Sequence, residues 1–245
     1  MITNTPAIAV ESLFKQFGDH VVLRDFSLVL HQGENLVVLG KSGSGKSVLI
    51  KCIIGLLKPD AGIIKVFGKN ILEFNPEELD QIRTKIGFLF QGNALYDSMT
   101  VRENLEFPLR RHWIDYSQEQ VEKLVIEALE NVGLADTVNL MPEELSGGML
   151  KRVALARTMI LKPAIILYDE PTTGLDPVTA REIDNLIIKI QKKYHTSSVI
   201  ITHDMNCVKN TADRIALLLD GKCYAEGSYN DFEKSADINI KQFFE

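Results

Sequence analysis

Residues 40–47 read Gly40-Lys41-Ser42-Gly43-Ser44-Gly45-Lys46-Ser47, a complete G-x-x-x-x-G-K-S phosphate loop. A strand-like apolar run, Leu36–Leu39, precedes the loop, and a helix-like run, Val48–Ile54, follows it. Glycines let the backbone turn its N–H groups towards phosphate oxygens, and the start of a helix adds its positive end. The sequence therefore predicts a nucleoside triphosphate site, because an ordinary Gly/Ser turn does not require all four fixed positions and both flanks.

Two carboxylates complete the predicted chemistry. Lys46 is predicted to neutralise the β- and γ-phosphates, and the Ser47 hydroxyl to ligate Mg²⁺. Asp169 and Glu170 end a buried-strand pattern that begins at Ile165. In phosphate-loop enzymes such a strand lies beside the loop, its first carboxylate holds Mg²⁺ through water, and the second orients and deprotonates the attacking water. Taken with the loop, this pair predicts hydrolysis of the triphosphate.

The composition excludes several other classes of protein. The 245 residues are 45% hydrophobic and 24% charged, with a net charge of −6, which argues against nucleic-acid binding as the main function. Cys52, Cys207 and Cys223 form no C-x-x-C motif, so they are predicted to be buried small hydrophobic residues rather than disulfide or zinc ligands. The start, Met1–Pro6, does not read as a signal peptide, and the apolar runs are too short to span a bilayer. We expect a cytoplasmic chain that reaches a membrane only through another protein.

The pattern of apolar residues indicates an α/β fold. Strands are predicted at 21–23, 26–30, 63–67, 164–168 and 198–202, helices at 118–132, 146–161, 177–193 and 204–211, and a hairpin at 214–225. Continuous apolar strands are typical of a parallel sheet covered on both faces. We expect a nucleotide-binding core made of residues 1–91 and 162–245, a β-rich edge near the N-terminus, and a helical lobe inserted at residues 92–161.

Residues 145–149 read Leu145-Ser146-Gly147-Gly148-Met149, and we call them the signature segment. Ser146 is a candidate helix N-cap, and the N–H groups that follow it are free to bind an anion, although spacing alone indicates only a capped helix start. With this segment in place, the chain resembles an ATP-binding-cassette (ABC) ATPase along essentially its whole length, with every motif in order. The resemblance implies a phosphate-loop (RecA-like) ABC nucleotide-binding domain with an N-terminal antiparallel β subdomain and an inserted helical subdomain.

The resemblance also implies a role for each matching residue. These are Phe17 (stacks on adenine), Gly40 to Ser47 (phosphate loop), Gln91 (senses Mg²⁺ and couples to a permease), Ser146, Gly147 and Gly148 (signature), Asp169 (Mg²⁺), Glu170 (general base), Asp176 (loop across a dimer interface) and His203 (γ-phosphate). It implies that two copies pack head to tail, with ATP and Mg²⁺ between the phosphate loop of one copy and the signature segment of the other. The resemblance further implies that closure of that dimer drives an integral-membrane permease.

Finer features are similar to the ATPase subunits of MCE-type lipid transporters, which include the Mla phospholipid system. They are the loop after Gln91 (residues 92–110), the stretch 140–145, Met149 where most transporter cassettes have Gln, and the tail 240–245. This similarity implies an MCE-domain lipid-binding protein among the partners and a position on the cytoplasmic face of the inner membrane. One departure is Thr172, where Mla ATPases tend to carry an aromatic residue.

Two other classes of function stay open on the sequence. One is an ABC importer or exporter of amino acids, ions or drugs, which the permease-facing residues would distinguish. The other is a non-transport ABC protein, for which a cell-division cassette is the strongest candidate. The stretch between Ser47 and Leu145 is too short for the coiled coil of repair members, and translation members usually carry two cassettes. An iron–sulfur-assembly scaffold remains as a further non-transport alternative. The sequence shows neither the transported molecule nor the direction of transport.

Overall fold

The computed structural model describes residues 5–111 and 116–244, so residues 1–4 and Glu245, which belong to the start and tail considered above, lie outside it. Within these ranges the strands are β1 (Ile8–Phe17), β2 (His20–Leu30), β3 (Asn35–Leu39), β4 (Ala61–Val66), β5 (Lys69–Asn70), β6 (Ile86–Leu89), β7 (Ile165–Asp169), β8 (Ser197–Thr202), β9 (Arg214–Leu219) and β10 (Lys222–Gly227). The helices are α1 (Lys46–Ile53), α2 (Pro76–Arg83), α3 (Val101–Arg111), α4 (Gln118–Asn131), α5 (Gly147–Met159), α6 (Pro177–Tyr194), α7 (Met205–Thr211), α8 (Tyr229–Glu233) and α9 (Ile238–Lys241).

A mostly parallel sheet with the strand order β10-β9-β3-β8-β7-β6 forms the centre of the fold. Every residue of β3, β7 and β8 is buried, because helices and the second sheet cover both faces, as their continuous apolar runs predicted. In the parallel register Leu39 lies opposite Thr202, and Asp169 lies opposite Ile201. The loops that follow these three strands therefore leave the sheet at one edge, where open α/β sheets place their ligands.

The second sheet is antiparallel, with the order β2-β1-β4-β5. The two strands predicted at 21–23 and 26–30 are one strand, β2, which continues through Asp25 with a left-handed φ of 52°. Such a residue behaves like a β-bulge, which bends a strand without ending it. Strands β1, β5 and β6 were not predicted from the sequence. The mixed α/β fold with an N-terminal antiparallel sheet and a helical insert is confirmed.

Helices α3, α4 and α5 form the helical lobe. Their buried apolar residues, among them Leu105, Leu129 and Val153, share one hydrophobic core with one face of the central sheet. The predicted helices at 118–132 and 146–161 are α4 and α5, which end within two residues of the expected positions. Across the described ranges, none of the helices has the length and apolar character needed to cross a bilayer.

The three cysteines are free thiols. Cys52 and Cys207 are buried, as expected, and burial raises the pKa of the Cys52 thiol to about 11. Cys223 is a partial exception, because it is only half-buried and its Sγ donates to Glu226 Oε1 at 3.3 Å. Burial and this carboxylate raise the pKa of Cys223 to about 12, so all three thiols stay protonated and unreactive at neutral pH.

Candidate functional site

The phosphate loop connects the end of β3 to the start of α1. Gly43 and Gly45 have left-handed φ values of 77° and 104°, which a residue with a side chain adopts at a cost. A Cβ on Gly45 would also lie 2.7 Å from Val22 Cγ1, so glycine is required there for steric reasons. The loop thereby presents its N–H groups, together with the N-terminal end of α1, to one side of the sheet edge.

Lys46 turns back over this loop. Its side chain is only 6% exposed, and its Nζ donates to the carbonyls of Gly40 at 2.8 Å and Lys41 at 3.1 Å. The same Nζ lies 3.4 Å from Glu170 Oε1. A buried ammonium group requires such oxygen partners, and phosphate oxygens delivered into the loop are stronger ones. The lysine is therefore already placed where a triphosphate would meet it.

Ser47 and Asp169 form an oxygen-rich corner beside Lys46. The Ser47 hydroxyl donates to Asp169 Oδ1 at 3.1 Å. Burial raises the pKa of Asp169 above its ordinary value, and the neighbouring Glu170 carboxylate raises it further. A hard divalent cation would restore the ionised form, and Mg²⁺ prefers one or two such ligands together with water and substrate phosphates. Accordingly, within the described residues, no cluster of three or more His, Cys, Asp or Glu could hold a metal alone.

Glu170 follows β7 in a strained conformation. It has a left-handed φ of 49°, and its N–H donates to the carbonyl of Ile201 at 2.9 Å, which ties it to β8. Its Oε2 lies 2.9 Å from His203 Nδ1 and accepts the Thr173 hydroxyl at 3.3 Å. Strain at a non-glycine residue persists where the surroundings fix it, which is common at functional sites. A carboxylate fixed in this way is able to orient a water molecule and take its proton.

A cavity of about 380 Å³ joins most of these groups, and Asp169 lies behind its lining, bonded to Ser47. The residues that line it are Phe17, Val22, Ser42, Gly43, Gly45, Lys46, Ser47, Val48, Gln91, Glu170 and His203. Phe17 is the last residue of β1 and is 48% exposed. It is one of the predicted site residues that the fold brings together around this cavity. Ser44 and Lys41 instead line a neighbouring cavity on the outer side of the loop, and Gly40 contributes its carbonyl to Lys46.

The signature segment does not line this cavity. Ser146 caps α5, its hydroxyl accepting from the N–H of Met149 at 3.3 Å, and Asp176 caps α6 in the same manner. A Cβ on Gly148 would lie 2.6 Å from Thr179 Cγ2, so the two helix starts are packed against each other. Neither Ser146 to Gly148 nor Asp176 belongs to the cavity lining formed by the described residues. One chain therefore carries two separate helix starts with exposed N–H groups, one after the phosphate loop and one at the signature segment.

Two cations of α5 hold the loop that carries Gln91, and the sequence analysis did not identify them. Lys151 is 2% exposed and donates to the carbonyl of Gln91 at 2.9 Å. Arg157 donates to the carbonyls of Asn93 at 2.9 Å and Ala94 at 2.7 Å. Burial lowers the pKa of both cations. Thr173, which supports Glu170, was also missed, because a threonine between the carboxylates and a glycine carries no pattern of its own.

The sequence model of the ABC transporter family matches residues 23–173. Over 97% of its length the chain is 42% identical to a probable ribonucleotide transport ATP-binding protein, mkl, of Mycobacterium leprae, and it spans 68% of that protein. Over 98% of its length it is 36% identical to the intermembrane phospholipid transport system ATP-binding protein MlaF of Haemophilus influenzae, and it spans 90% of that protein.

A solved structure agrees with this result. The ATP-binding cassette MJ0796, determined as a dimer in a post-hydrolysis state with bound ADP and Pi, superposes with a TM-score of 0.82. The two chains are 33% identical, and the superposition covers 90% of this chain and 98% of that cassette. The phosphate loop, the carboxylates and the family match agree, and the chain belongs to the ABC transporter family as one of its ATP-binding, ATP-hydrolysing subunits.

Proposed function

We propose that this chain powers phospholipid transport through an MCE/Mla-type membrane complex. The observation that carries the assignment is the similarity to MlaF, which covers 98% of this chain and 90% of that protein, whereas the chain spans 68% of the mycobacterial relative. Residue Met149 after the glycines of the signature segment supports the same assignment. In this proposal the chain sits on the cytoplasmic face of the membrane, bound to a permease subunit, with an MCE-domain lipid-binding protein in the same complex.

ATP binding uses the cavity residues in distinct roles. The phosphate loop and Lys46 bind the β- and γ-phosphates, and Phe17 stacks on the adenine base. Ser47, Gln91 and Asp169, the last through water, would hold Mg²⁺, which would supply neutralisation of the charge on the transferred phosphoryl group. The raised pKa of Asp169 supports this part, since burial outweighs the stabilisation that Lys51 and Lys46 give to the carboxylate, and a bound cation would offset it.

Hydrolysis depends on Glu170. Its carboxylate accepts a proton from water as the water oxygen attacks the γ-phosphorus, the bond to the β–γ bridging oxygen breaks, and ADP and phosphate form. His203, held 2.9 Å from Glu170, fixes the carboxylate and reaches towards the γ-phosphate. Lys46 Nζ lies 3.4 Å from the Glu170 carboxylate, so charge that develops on the phosphate meets a preorganised cation.

A second copy of the chain completes each site. The signature segment of a partner copy would meet the γ-phosphate from the open side of the cavity, and Asp176 would lie at the interface between the copies. The dimeric state of the MJ0796 cassette supports this arrangement, and so does the fact that, among the described residues, the signature segment does not line the cavity of its own chain. We propose that the helical lobe, residues 92–161, moves with ATP-driven closure and passes the motion to the permease through the Gln91 loop.

We expect the Ser146→Arg substitution to stop ATP turnover while ATP still binds to the phosphate loop of the same chain. The arginine would occupy the space of the phosphate in the partner's site. Mixing Ser146→Arg chains with Glu170→Gln chains should restore turnover, because one of the two sites in the mixed dimer keeps both an intact base and an intact signature. ATP binding and phosphate release measure the two effects.

Ser117→Arg is the matched control, because Ser117 caps α4 with the same geometry, accepting from the N–H of Gln120 at 3.3 Å, outside the site. This control should lose helix-cap stability, on the order of 1 kcal/mol, and keep its turnover. Loss of ATP binding by the Ser146→Arg chain itself would contradict the head-to-tail arrangement.

A transporter of another solute is the second candidate function, and the 42% identity to the ribonucleotide transport protein favours it. Purification of tagged Glu170→Gln protein in mild detergent with ATP separates the two, when the bound proteins and lipids are identified by mass spectrometry. A permease, an MCE-domain protein and phospholipid support the lipid-transport proposal. A permease with a solute-binding or cell-division protein assigns the chain to another ABC system, and recovery of soluble partners alone rejects transport.

A further inference from the structure

A buried lysine lies against the aromatic ring of Phe17. Lys15 Nζ is 5.2 Å from the centroid of the Phe17 ring, within the range of a cation–π interaction. The two residues are two positions apart on β1, so they share one face of the strand. Lys15 is 8% exposed, whereas Phe17 is 48% exposed. The cation is therefore covered by protein while the ring remains open to a ligand.

Asp60 fixes the ammonium group of Lys15. Asp60 Oδ1 accepts from Lys15 Nζ at 2.9 Å, and Asp60 Oδ2 accepts from the N–H of Gln16 at 2.8 Å. The N–H of Asp60 donates to the carbonyl of Phe14 at 2.9 Å. Bonds from Gln16 and Lys15 hold the pKa of Asp60 below its ordinary value, so the carboxylate is charged at neutral pH. Three contacts thus bind this aspartate to the segment that immediately precedes Phe17.

Residues 60–62 approach β1 closely because position 62 is a glycine. Gly62 has a φ of 102°, and a Cβ at this position would lie 2.7 Å from Leu13 Cα. The register between β1 and β4 breaks between Glu11 and Phe14, at the same place. Only glycine permits this contact, and the contact brings Asp60 beside Lys15. The sequence Asp60-Ala61-Gly62 is therefore a structural support for the end of β1.

Because Lys15 lies over the Phe17 ring but does not line the cavity, we take the lysine to be on the side of the ring away from the cavity. The described residues that line the 380 Å³ cavity include Phe17 but not Lys15. A cation over one face of an aromatic ring draws electron density towards itself, and the opposite face then stacks better on an electron-rich purine. The cation also restricts the rotation of the ring, which lowers the entropy lost when a base stacks on it.

We propose that Lys15, held by Asp60, is a positioning residue that orients and polarises the Phe17 ring for a purine base. The inference rests on the proposed role of Phe17 in binding adenine. Lys15 contacts neither phosphate nor base in this proposal, so its effect reaches the nucleotide only through the ring.

The test replaces Lys15 by methionine, which keeps most of the buried stem and removes the charge. We expect the dissociation constant for Mg-ATP, measured by calorimetry, to rise about threefold to tenfold. Binding of Mg²⁺ with inorganic tripolyphosphate should stay unchanged, because this probe has no base. Lys15→Arg should restore ATP binding, and kcat at saturating ATP should stay at the wild-type value while KM rises.

Lys65→Met is the matched control, since Lys65 on β4 forms a 2.8 Å ion pair with Glu11 on β1 and lies opposite Ala9, away from Phe17. It should leave ATP binding unchanged. Equal weakening of ATP and tripolyphosphate by Lys15→Met would overturn the inference, because it would indicate a general structural or electrostatic effect.

A double-mutant cycle with Phe17→Ala tests the role of Lys15 separately from the role of Phe17 in binding adenine. In the Phe17→Ala background, Lys15→Met should have no further effect on ATP affinity, because the ring that transmits the effect is absent. If Lys15→Met weakens binding by the same factor with and without the ring, the positioning role is wrong and the role of Phe17 stands. If Phe17→Ala itself leaves ATP affinity unchanged, the proposed role of Phe17 is wrong.

Discussion

Replacing Lys46 by alanine is expected to abolish tight binding of ATP. The side chain is buried, and no phosphate ligand of equal charge lines the cavity among the described residues. Truncation of one partner in a buried charge pair costs about 2–5 kcal/mol, which corresponds to a loss of affinity of roughly thirtyfold or more. Titration of the protein with ATP and Mg²⁺, followed by calorimetry, measures this change directly.

Lys51→Ala provides the matched control. Lys51 lies on the same helix, five positions after Lys46. It is exposed and does not line the cavity. The control removes the same charge from α1 but should keep ATP affinity close to the wild-type value. Wild-type affinity in Lys46→Ala, or equal losses in both variants, would remove Lys46 from the site and leave only a general effect of charge.

The parallel sheet could be predicted because its strands are apolar on both faces. The centres of β3, β7 and β8 are unbroken apolar runs (residues 36–39, 165–168 and 199–201), and burial on both faces is the reason. Helix α2 escaped prediction because it buries only Ile82 and is otherwise polar, although Asn75 and Glu78 form a capping box at its start. Helix α3 escaped prediction because one of its buried positions is Asn104 and because it contains Pro108, a residue that normally breaks a helix.

The site residues that could be predicted are those that follow the ends of strands and belong to fixed local sequence patterns. Phosphate loop, Asp169 and Glu170 meet because parallel strands share an edge. The supporting contacts could not be predicted, because they join positions far apart in sequence. Lys151 reaches Gln91 across 60 positions, and Lys15 reaches Asp60 across 45. Such contacts arise from packing of α5 and β4, which no single segment encodes.

Replacing Glu170 by glutamine should separate ATP binding from turnover. The amide keeps the shape of the side chain and a possible bond with His203, but it does not accept a proton from water. Loss of a general base slows catalysis by about 10²–10⁴-fold, and we expect kcat to fall by this factor. ATP should still bind, since Lys46 and the loop are unchanged. The variant should then accumulate as an ATP-bound dimer, visible by size-exclusion chromatography with light scattering.

Glu182→Gln is the matched control, because Glu182 forms an ion pair with Arg152 outside the ATP cavity. It makes the same carboxylate-to-amide change and should keep wild-type turnover and show no ATP-dependent trapping. A Glu170→Gln protein that hydrolyses ATP at the wild-type rate would show that another group takes the proton. A protein that loses both turnover and ATP binding would instead assign Glu170 to the support of Lys46, which lies 3.4 Å from its carboxylate. Measuring both quantities on one preparation therefore distinguishes a general base from a structural counter-ion.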